Sequence, residues 1–183
     1  MSDDLRIGTG FDAHALERGV PLILGGVHIE HELGLAGHSD GDVIAHTLTD
    51  AILGAANCGD IGSLFPNTPE WKGADSLALL ARAYEVAQEA GWQLVNADCV
   101  LIGQEPKIAR YRDEMGVRLA GAMGVEVGRV TVRATTTDFL GFPGRGEGLA
   151  AQAVAIVIPS AIPAVTVSPN HGQAISAVEA GTR

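Results

Sequence analysis

Between residues 42 and 57 the apolar side chains Val43, Ile44, Leu48, Ala51, Ile52 and Ala55 recur at helical spacing. A helix with so apolar a face needs a sheet to cover it, and strand-like segments surround it. Residues 5–14 read as an opening strand, and 21–29 as two short strands around the Gly25-Gly26 turn. A second amphipathic helix is expected over 75–90, with Asp75 as N-cap and Gly91 as stop. Residues 93–103 form the next strand, 107–123 a third helix ending at Gly124, and 129–135 and 148–158 the last two strands. Strands alternating with helices predict an α/β fold, an α+β sandwich of four long strands with helices on one face and a small β-hairpin beside them. Residues 59–73, rich in Gly, Pro, Asn and Thr, read as a loop long enough to imply function.

At 183 residues the chain suits one domain, with residues 1–158 as the domain and 159–183 as a tail of small residues without period. Aromatics are 4% of the chain against 24 glycines, so the core must be aliphatic, alanine-rich and closely packed. A formal charge of -10 argues against a nucleic-acid partner, which needs a basic face. No apolar stretch is long enough to span a membrane, and Met1-Ser2-Asp3-Asp4 lacks the regions of a secretory signal, so a cytoplasmic location is expected. Cys58 and Cys99 read as small apolar fillers in reduced surroundings.

In a strand, Asp12 and His14 are two apart and share a face, which makes Asp-x-His a clip for one ion. The predicted helix puts Asp42, His46 and Asp50 on one edge, so His46 can be aimed at that clip. One carboxylate and two imidazoles suit Zn²⁺ with a fourth position open to substrate; Asp42 is expected to orient His46 or a neighbour. A second constellation follows the strand at 129–135. Thr135, Thr136 and Thr137 offer hydroxyls, the glycines of 141–148 let amides approach, Arg145 can pair with phosphate, and Asp138 can hold Mg²⁺. The same stretch also reads as a threonine-capped turn and glycine-rich hairpin. Gly103-Gln104-Glu105-Pro106-Lys107 sits between strand and helix, either as a plain connection or as backbone that reads a base edge. Asp60, Ile61 and Gly62 can accept from a ribose diol, and Phe65, Pro66, Asn67 and Thr68 can line a sugar-phosphate pocket.

Six blocks in register carry a resemblance over residues 5–158: Arg-Ile-Gly-x-Gly-Phe-Asp-x-His, Ala-Gly-His-Ser-Asp-Gly-Asp, Gly-Asp-Ile-Gly-x-Leu-Phe-Pro, Lys-Gly-Ala-Asp-Ser, Ala-Thr-Thr-Thr and Gly-Arg-Gly-Glu-Gly. In these the chain resembles the 2-C-methyl-D-erythritol 2,4-cyclodiphosphate synthase family of the non-mevalonate isoprenoid pathway. The resemblance implies a ferredoxin-like or bacillus chorismate mutase-like topology. It also implies a phosphorus-oxygen lyase that cyclises 4-diphosphocytidyl-2-C-methyl-D-erythritol 2-phosphate and expels CMP. By the same likeness Asp12, His14 and His46 hold one Zn²⁺ per subunit, and Asp138 binds Mg²⁺ or Mn²⁺ with the diphosphate. His38 and Thr136 stabilise the transition state. Asp60 and Gly62 hold the ribose, Gly103 to Lys107 with Ile108 and Ala109 the cytosine, and His38, Ser39 and Phe65 through Pro69 the methylerythritol phosphate, with Ala13 also among the substrate-binding residues. A homotrimer with active sites between subunits is implied. So is a central cavity lined by Phe11, Phe142 and Arg145, in which the family can hold an isoprenoid diphosphate.

Three positions depart from the family pattern: Thr9 for a common histidine, Asp138 for a usual Glu, one methylene shorter, and Gln152 for a common acidic residue near the cavity. Competing expectations are a zinc-dependent phosphohydrolase, which needs a positioned water, and a noncatalytic trimeric scaffold for isoprenoid diphosphates.

Overall fold

A computed structural model describes residues 4–160; the expected tail beyond Ser160 lies outside the described residues. The chain runs β1 (Arg6–Arg18), β2 (Leu22–Leu24), β3 (Val27–Ile29), β4 (Leu33–Leu35), α1 (Val43–Ala56), α2 (Ile61–Leu64) and α3 (Ser76–Glu89). It continues with β5 (Trp92–Ile102), α4 (Arg112–Met123), β6 (Val130–Thr135), α5 (Gly141–Gly144) and β7 (Gly148–Pro159). Single 3-10 turns occupy Pro69–Trp71 and Val127–Arg129.

The sheet is mixed and ordered β4-β1-β7-β5-β6, with β2-β3 as a separate hairpin. β1 and β5 flank β7 antiparallel, and β5 pairs with β6 in parallel through the α4 crossover. The expected sandwich is therefore present, with five strands in place of four. The extra strand arises because β1 runs on past His14, and its last residues, Leu16 to Arg18, pair with β4. Residues 33–35 are too few for a period of two to register in the sequence.

Two further boundaries shift. The third helix starts at Arg112, and residues 103–110 are irregular, with a turn only at their end. The buried face of α4 begins with Met115 and continues through Leu119, Ala120 and Met123, while Ile108 reaches the same core from the irregular segment before the helix. Inside the expected loop at 59–73, Asp60 and Ser63 form a capping box that winds α2.

The core lies between the sheet and the helices, and it is aliphatic as expected. What brings α1 onto β1 is the absence of side chains on the facing strand positions. A Cβ built on Gly8 would lie 2.0 Å from the Ala51 carbonyl oxygen, and one on Gly10 would lie 2.0 Å from that of Thr47. Helix backbone thus rests on strand backbone. The start of α1 is pinned separately. Asp42 is fully buried, and its carboxylate accepts the N–H groups of Ile44 and Ala45 (3.1 Å each) as N-cap. It also accepts those of Gly25 (2.9 Å) and Gly26 (2.6 Å) in the β2–β3 turn. Burial raises this carboxyl to about 6 against the pull of those N–H groups. Asp42 is therefore a structural lock between hairpin and helix and does not orient His46, because its lone pairs are committed to backbone.

Gly10→Ala must push α1 off β1. We expect a loss of about 1–3 kcal/mol, the usual cost of overpacking, read as a lower denaturant midpoint; an unchanged midpoint would show that the helix can retreat at no cost.

Candidate metal centre and ligand cavities

Along β1 the face that carries Gly8 and Gly10 next presents Asp12 and His14, while Ile7, Thr9 and Phe11 point away. The close helix contact at Gly10 thus places Asp12 and His14 beside His46 of α1. Asp12 Oδ2 lies 2.8 Å from His14 Nε2 and 2.9 Å from His46 Nδ1, and the two imidazole nitrogens are 3.2 Å apart. Among the described residues these three form the group with metal-ligand spacing.

The partners behind each ring decide what the triangle can hold. His14 Nδ1–H donates to the Ala36 carbonyl at 2.6 Å, which leaves the Nε2 lone pair facing Asp12. His46 turns Nε2 toward the hydroxyls of Ser39 and Ser76, at 2.9 Å each, and its Nδ1 toward the triangle. Three acceptors then face one another across about 3 Å, an arrangement that a shared cation satisfies. The edges of the triangle match adjacent ligands on a zinc ion with bonds of about 2.0–2.1 Å. The donor set therefore fits the expected metal.

Electrostatics point the same way. Burial opposes ionisation of Asp12, but hydrogen bonds from His14 and His46 outweigh it and hold the carboxyl well below the usual range. The Asp12 hydrogen bond in turn raises the His14 pKa from 6.5, against burial.

Beside the triangle is a cavity of about 270 Å³ lined by Asp12, His14, His38, Ser39, His46, Asp50, Ile61, Gly62, Phe65, Asn67, Trp71 and Leu79. It gathers His38, Ser39, Gly62, Phe65 and Asn67 from the expected phosphate-sugar set but no Lys or Arg, so a polyanion entering it meets carboxylates unless a cation intervenes. Asp60, just outside, caps α2 through Ser63 N–H at 2.7 Å. Phe65 and Trp71 meet edge to face, with centroids 5.0 Å apart, as an apolar wall. Asp50 was legible only as the third member of the helix edge with Asp42 and His46. Its carboxylate accepts Ile61 N–H at 2.8 Å and so ties α1 to the cavity loop. Ser76, which touches His46, was missed as a site residue; the one signal for it was its place directly after the Asp75 cap.

A second cavity of about 220 Å³ is lined by Leu101, Gly103, Pro106, Lys107, Ala109, Arg112, Ala134, Thr135, Thr136 and Leu149. The two cavities share no lining residue. Ala13, Pro66, Thr68, Pro69, Gln104, Glu105, Thr137, Asp138, Phe142 and Arg145 line neither. Ile108 is a core residue and can offer a ligand only its backbone. Asp138 and Phe139 both take positive φ, at 50° and 65°, in the turn after the threonines. Arg145 is engaged by Glu147 at 2.8 and 2.9 Å rather than turned toward either cavity.

Fold and site together define an α+β domain with a carboxylate–bis-imidazole cluster that could hold a metal ion, opening on a polar cavity. Residues 5–158 match the YgbB family, and the chain belongs to it. It is 54% identical over 153 residues to 2-C-methyl-D-erythritol 2,4-cyclodiphosphate synthase of Geobacillus kaustophilus, covering 83% of this chain and 97% of that protein. It is 50% identical to the bifunctional enzyme IspD/IspF of Erythrobacter litoralis, covering 87% of this chain and 42% of the longer protein. Among solved structures, the bifunctional IspDF from Campylobacter jejuni superposes with a TM-score of 0.81 at 44% identity, over 84% of this chain and 42% of that one. The CDP complex of IspF from Plasmodium falciparum superposes with a TM-score of 0.75 at 31% identity, over 85% and 97%.

Because His14 holds a proton against Asp12, a metal must displace it. We expect zinc affinity to keep rising as pH climbs past 6.5, by about tenfold per pH unit for one displaced proton. Chelator competition from pH 5.5 to 8.5 measures this, and a flat profile would remove His14 from the ligand set.

Proposed function

We propose that this protein closes 4-diphosphocytidyl-2-C-methyl-D-erythritol 2-phosphate into 2-C-methyl-D-erythritol 2,4-cyclodiphosphate and releases CMP, as a phosphorus-oxygen lyase. The observation that carries this is the Asp12, His14 and His46 triangle beside a sugar-sized cavity, in a chain that matches synthases of that name along nearly their whole length. An oxygen of the 2-phosphate forms a bond to the β-phosphorus, and the bond from that phosphorus to the bridging oxygen of CMP breaks. CMP leaves with the bridging oxygen and its electron pair, and no water is consumed.

The chain's own residues have separable parts in this. Asp12, His14 and His46 hold one Zn²⁺, which when bound supplies Lewis acidity and charge neutralisation to phosphate oxygens. His38 and Ser39 line the cavity as donors to the 2-phosphate. The outer carboxylate oxygen of Asp60 and the backbone of Gly62 accept from the ribose. Phe65, Trp71 and Leu79 shield the cavity from water. Thr136 donates to the developing phosphoryl charge, and the backbone from Gly103 to Ala109 reads cytosine. Asp138, exposed and without a side-chain partner among the described residues, is the ligand for Mg²⁺ or Mn²⁺.

Because the two cavities share no residue, the complete site is proposed to form between neighbouring chains of a homotrimer. The outward face of the sheet supports this: Ile7 is 62% exposed, Phe11 63% and Val154 39%, an apolar stripe along paired β1 and β7. The same face carries Gln152 opposite Phe11. With Phe142 and Arg145 it is proposed to line a central cavity suited to an isoprenoid diphosphate. Among the described residues no helix is long and apolar enough to cross a membrane. The polyanionic substrate implies a cytoplasmic setting.

Incubation with the diphosphocytidyl substrate, followed by phosphorus resonances, is expected to yield the cyclic diphosphate and CMP in equal amounts, and chelation is expected to stop it. An opened phosphate product would instead make the protein a phosphohydrolase. The shared site predicts that His46→Ala and Thr136→Ala chains, each inactive alone, regain partial activity when unfolded together and reassembled. Verified mixed trimers as inactive as their parents would place both residues in one chain's site.

A further inference from the structure

The His46 ring has two hydroxyls within reach of Nε2, and they are not equivalent. Ser76 is 1% exposed and opens α3; its hydroxyl donates to Asp40 Oδ1. The Asp40 carboxylate also accepts the Ser76 backbone N–H at 3.0 Å and the Asp42 N–H at 3.1 Å, so it is held in place from three directions. A carboxylate has no proton to return. The single Ser76 proton is therefore committed to Asp40, and only lone pairs face His46 at 2.9 Å. Under that constraint Nε2 must carry the ring proton, and Nδ1 must present its lone pair to Asp12 and His14. Ser39 has no such carboxylate partner, and it lines the cavity. Its Oγ takes a long contact of 3.4 Å from the Gly41 N–H, and, with the Ser76 proton given to Asp40, its own proton has only a long 3.5 Å contact to Ser76 Oγ to compete with a ligand in the cavity.

Resting on the metal-site reading above, we propose that Asp40 and Ser76 are positioning residues that fix His46 in its metal-binding tautomer, whereas Ser39 keeps its hydroxyl proton for the bound ligand. The Lys72 to Ser76 segment then belongs to the metal site, although it supplies no ligand. It joins the start of α3 to the first turn of α1 through one polar chain, Asp40 to Ser76 to His46 to the triangle. Outer partners of this kind typically shift metal affinity by about 10–100-fold.

The test uses full-length protein labelled with ¹⁵N at histidine and loaded with zinc, together with chelator competition. Wild-type protein is expected to show a downfield, slowly exchanging Nε2–H for His46. In Ser76→Ala that signal should move upfield and exchange rapidly, and zinc should bind about 10–100-fold more weakly. Ser76→Thr, which keeps the hydroxyl, should restore both. Ser39→Ala should leave the resonance and the zinc affinity as in wild type. If Ser76→Ala does not fold by circular dichroism, Asp40→Asn decides by the same readouts, because its amide nitrogen must oppose one of the groups that Asp40 now accepts. Wild-type resonance and affinity in the deciding variant would overturn the relay alone, as would their loss in Ser39→Ala instead. A wild-type protein that binds no zinc would overturn the metal reading and the relay with it.

Discussion

Everything at the site depends on how closely α1 lies against β1. Two glycines on one face of the strand let the carbonyls of Thr47 and Ala51 occupy the space that side chains would fill. Packing at that distance leaves the helix little freedom to slide or tilt. The next two residues on the same strand face are Asp12 and His14, and the helix residue one position before Thr47 is His46. The ligand triangle is therefore a consequence of backbone packing, continued by two residues along the strand. Asp42 completes the constraint from the other end, since it ties the first turn of α1 to the Gly25-Gly26 turn.

That rigidity has an electrostatic consequence. Holding three acceptor atoms within 3.2 Å of one another is unfavourable without a cation or a shared proton. The free chain answers with a proton, which is why Asp12 is strongly acidic and His14 holds its proton more tightly than an isolated imidazole. A divalent ion held by Asp12, His14 and His46 would answer more completely and would bring positive charge to a cavity that has no Lys or Arg in its lining. For a chain of formal charge -10, binding a substrate with three phosphates makes that local neutralisation a requirement.

Much of this was legible in the sequence, because the periods involved are long or strict. Alternation over residues 5–14 and the stripe over 42–57 give both elements and put Asp12, His14 and His46 on facing surfaces. What escaped was short or depended on contacts distant in sequence. β4 has three residues, and α2 is one turn held by Asp60 and Ser63. Asp42 was misread because spacing on a helix edge shows that it lies near His46 but not which donors claim its carboxylate. Ser76 was missed for the related reason that its role comes from Asp40, 36 residues away. The helix expected from Lys107 starts at Arg112 instead: Ile108 lies seven residues, two helical turns, before Met115 and so extends the stripe by spacing alone, although the backbone there is irregular.

The apolar stripe on the far side of the same sheet bears on why one strand can serve two purposes. β1 presents glycine, carboxylate and imidazole inward and Ile7, Thr9 and Phe11 outward, so alternate residues belong to different surfaces. β7 repeats the division beside it, with Ala151, Ala153 and Ala155 inward and Gln152 and Val154 outward. A slip of one residue between the two strands would invert both faces at once and turn Asp12 and His14 outward. Pairing Phe11 with Gln152 and Asp12 with Ala151 therefore sets the composition of the outward stripe and the orientation of the ligand clip in a single register. Any assembly through that outward face is coupled to the Asp12, His14 and His46 cluster by this pairing, because neither surface can be rearranged while the other is kept.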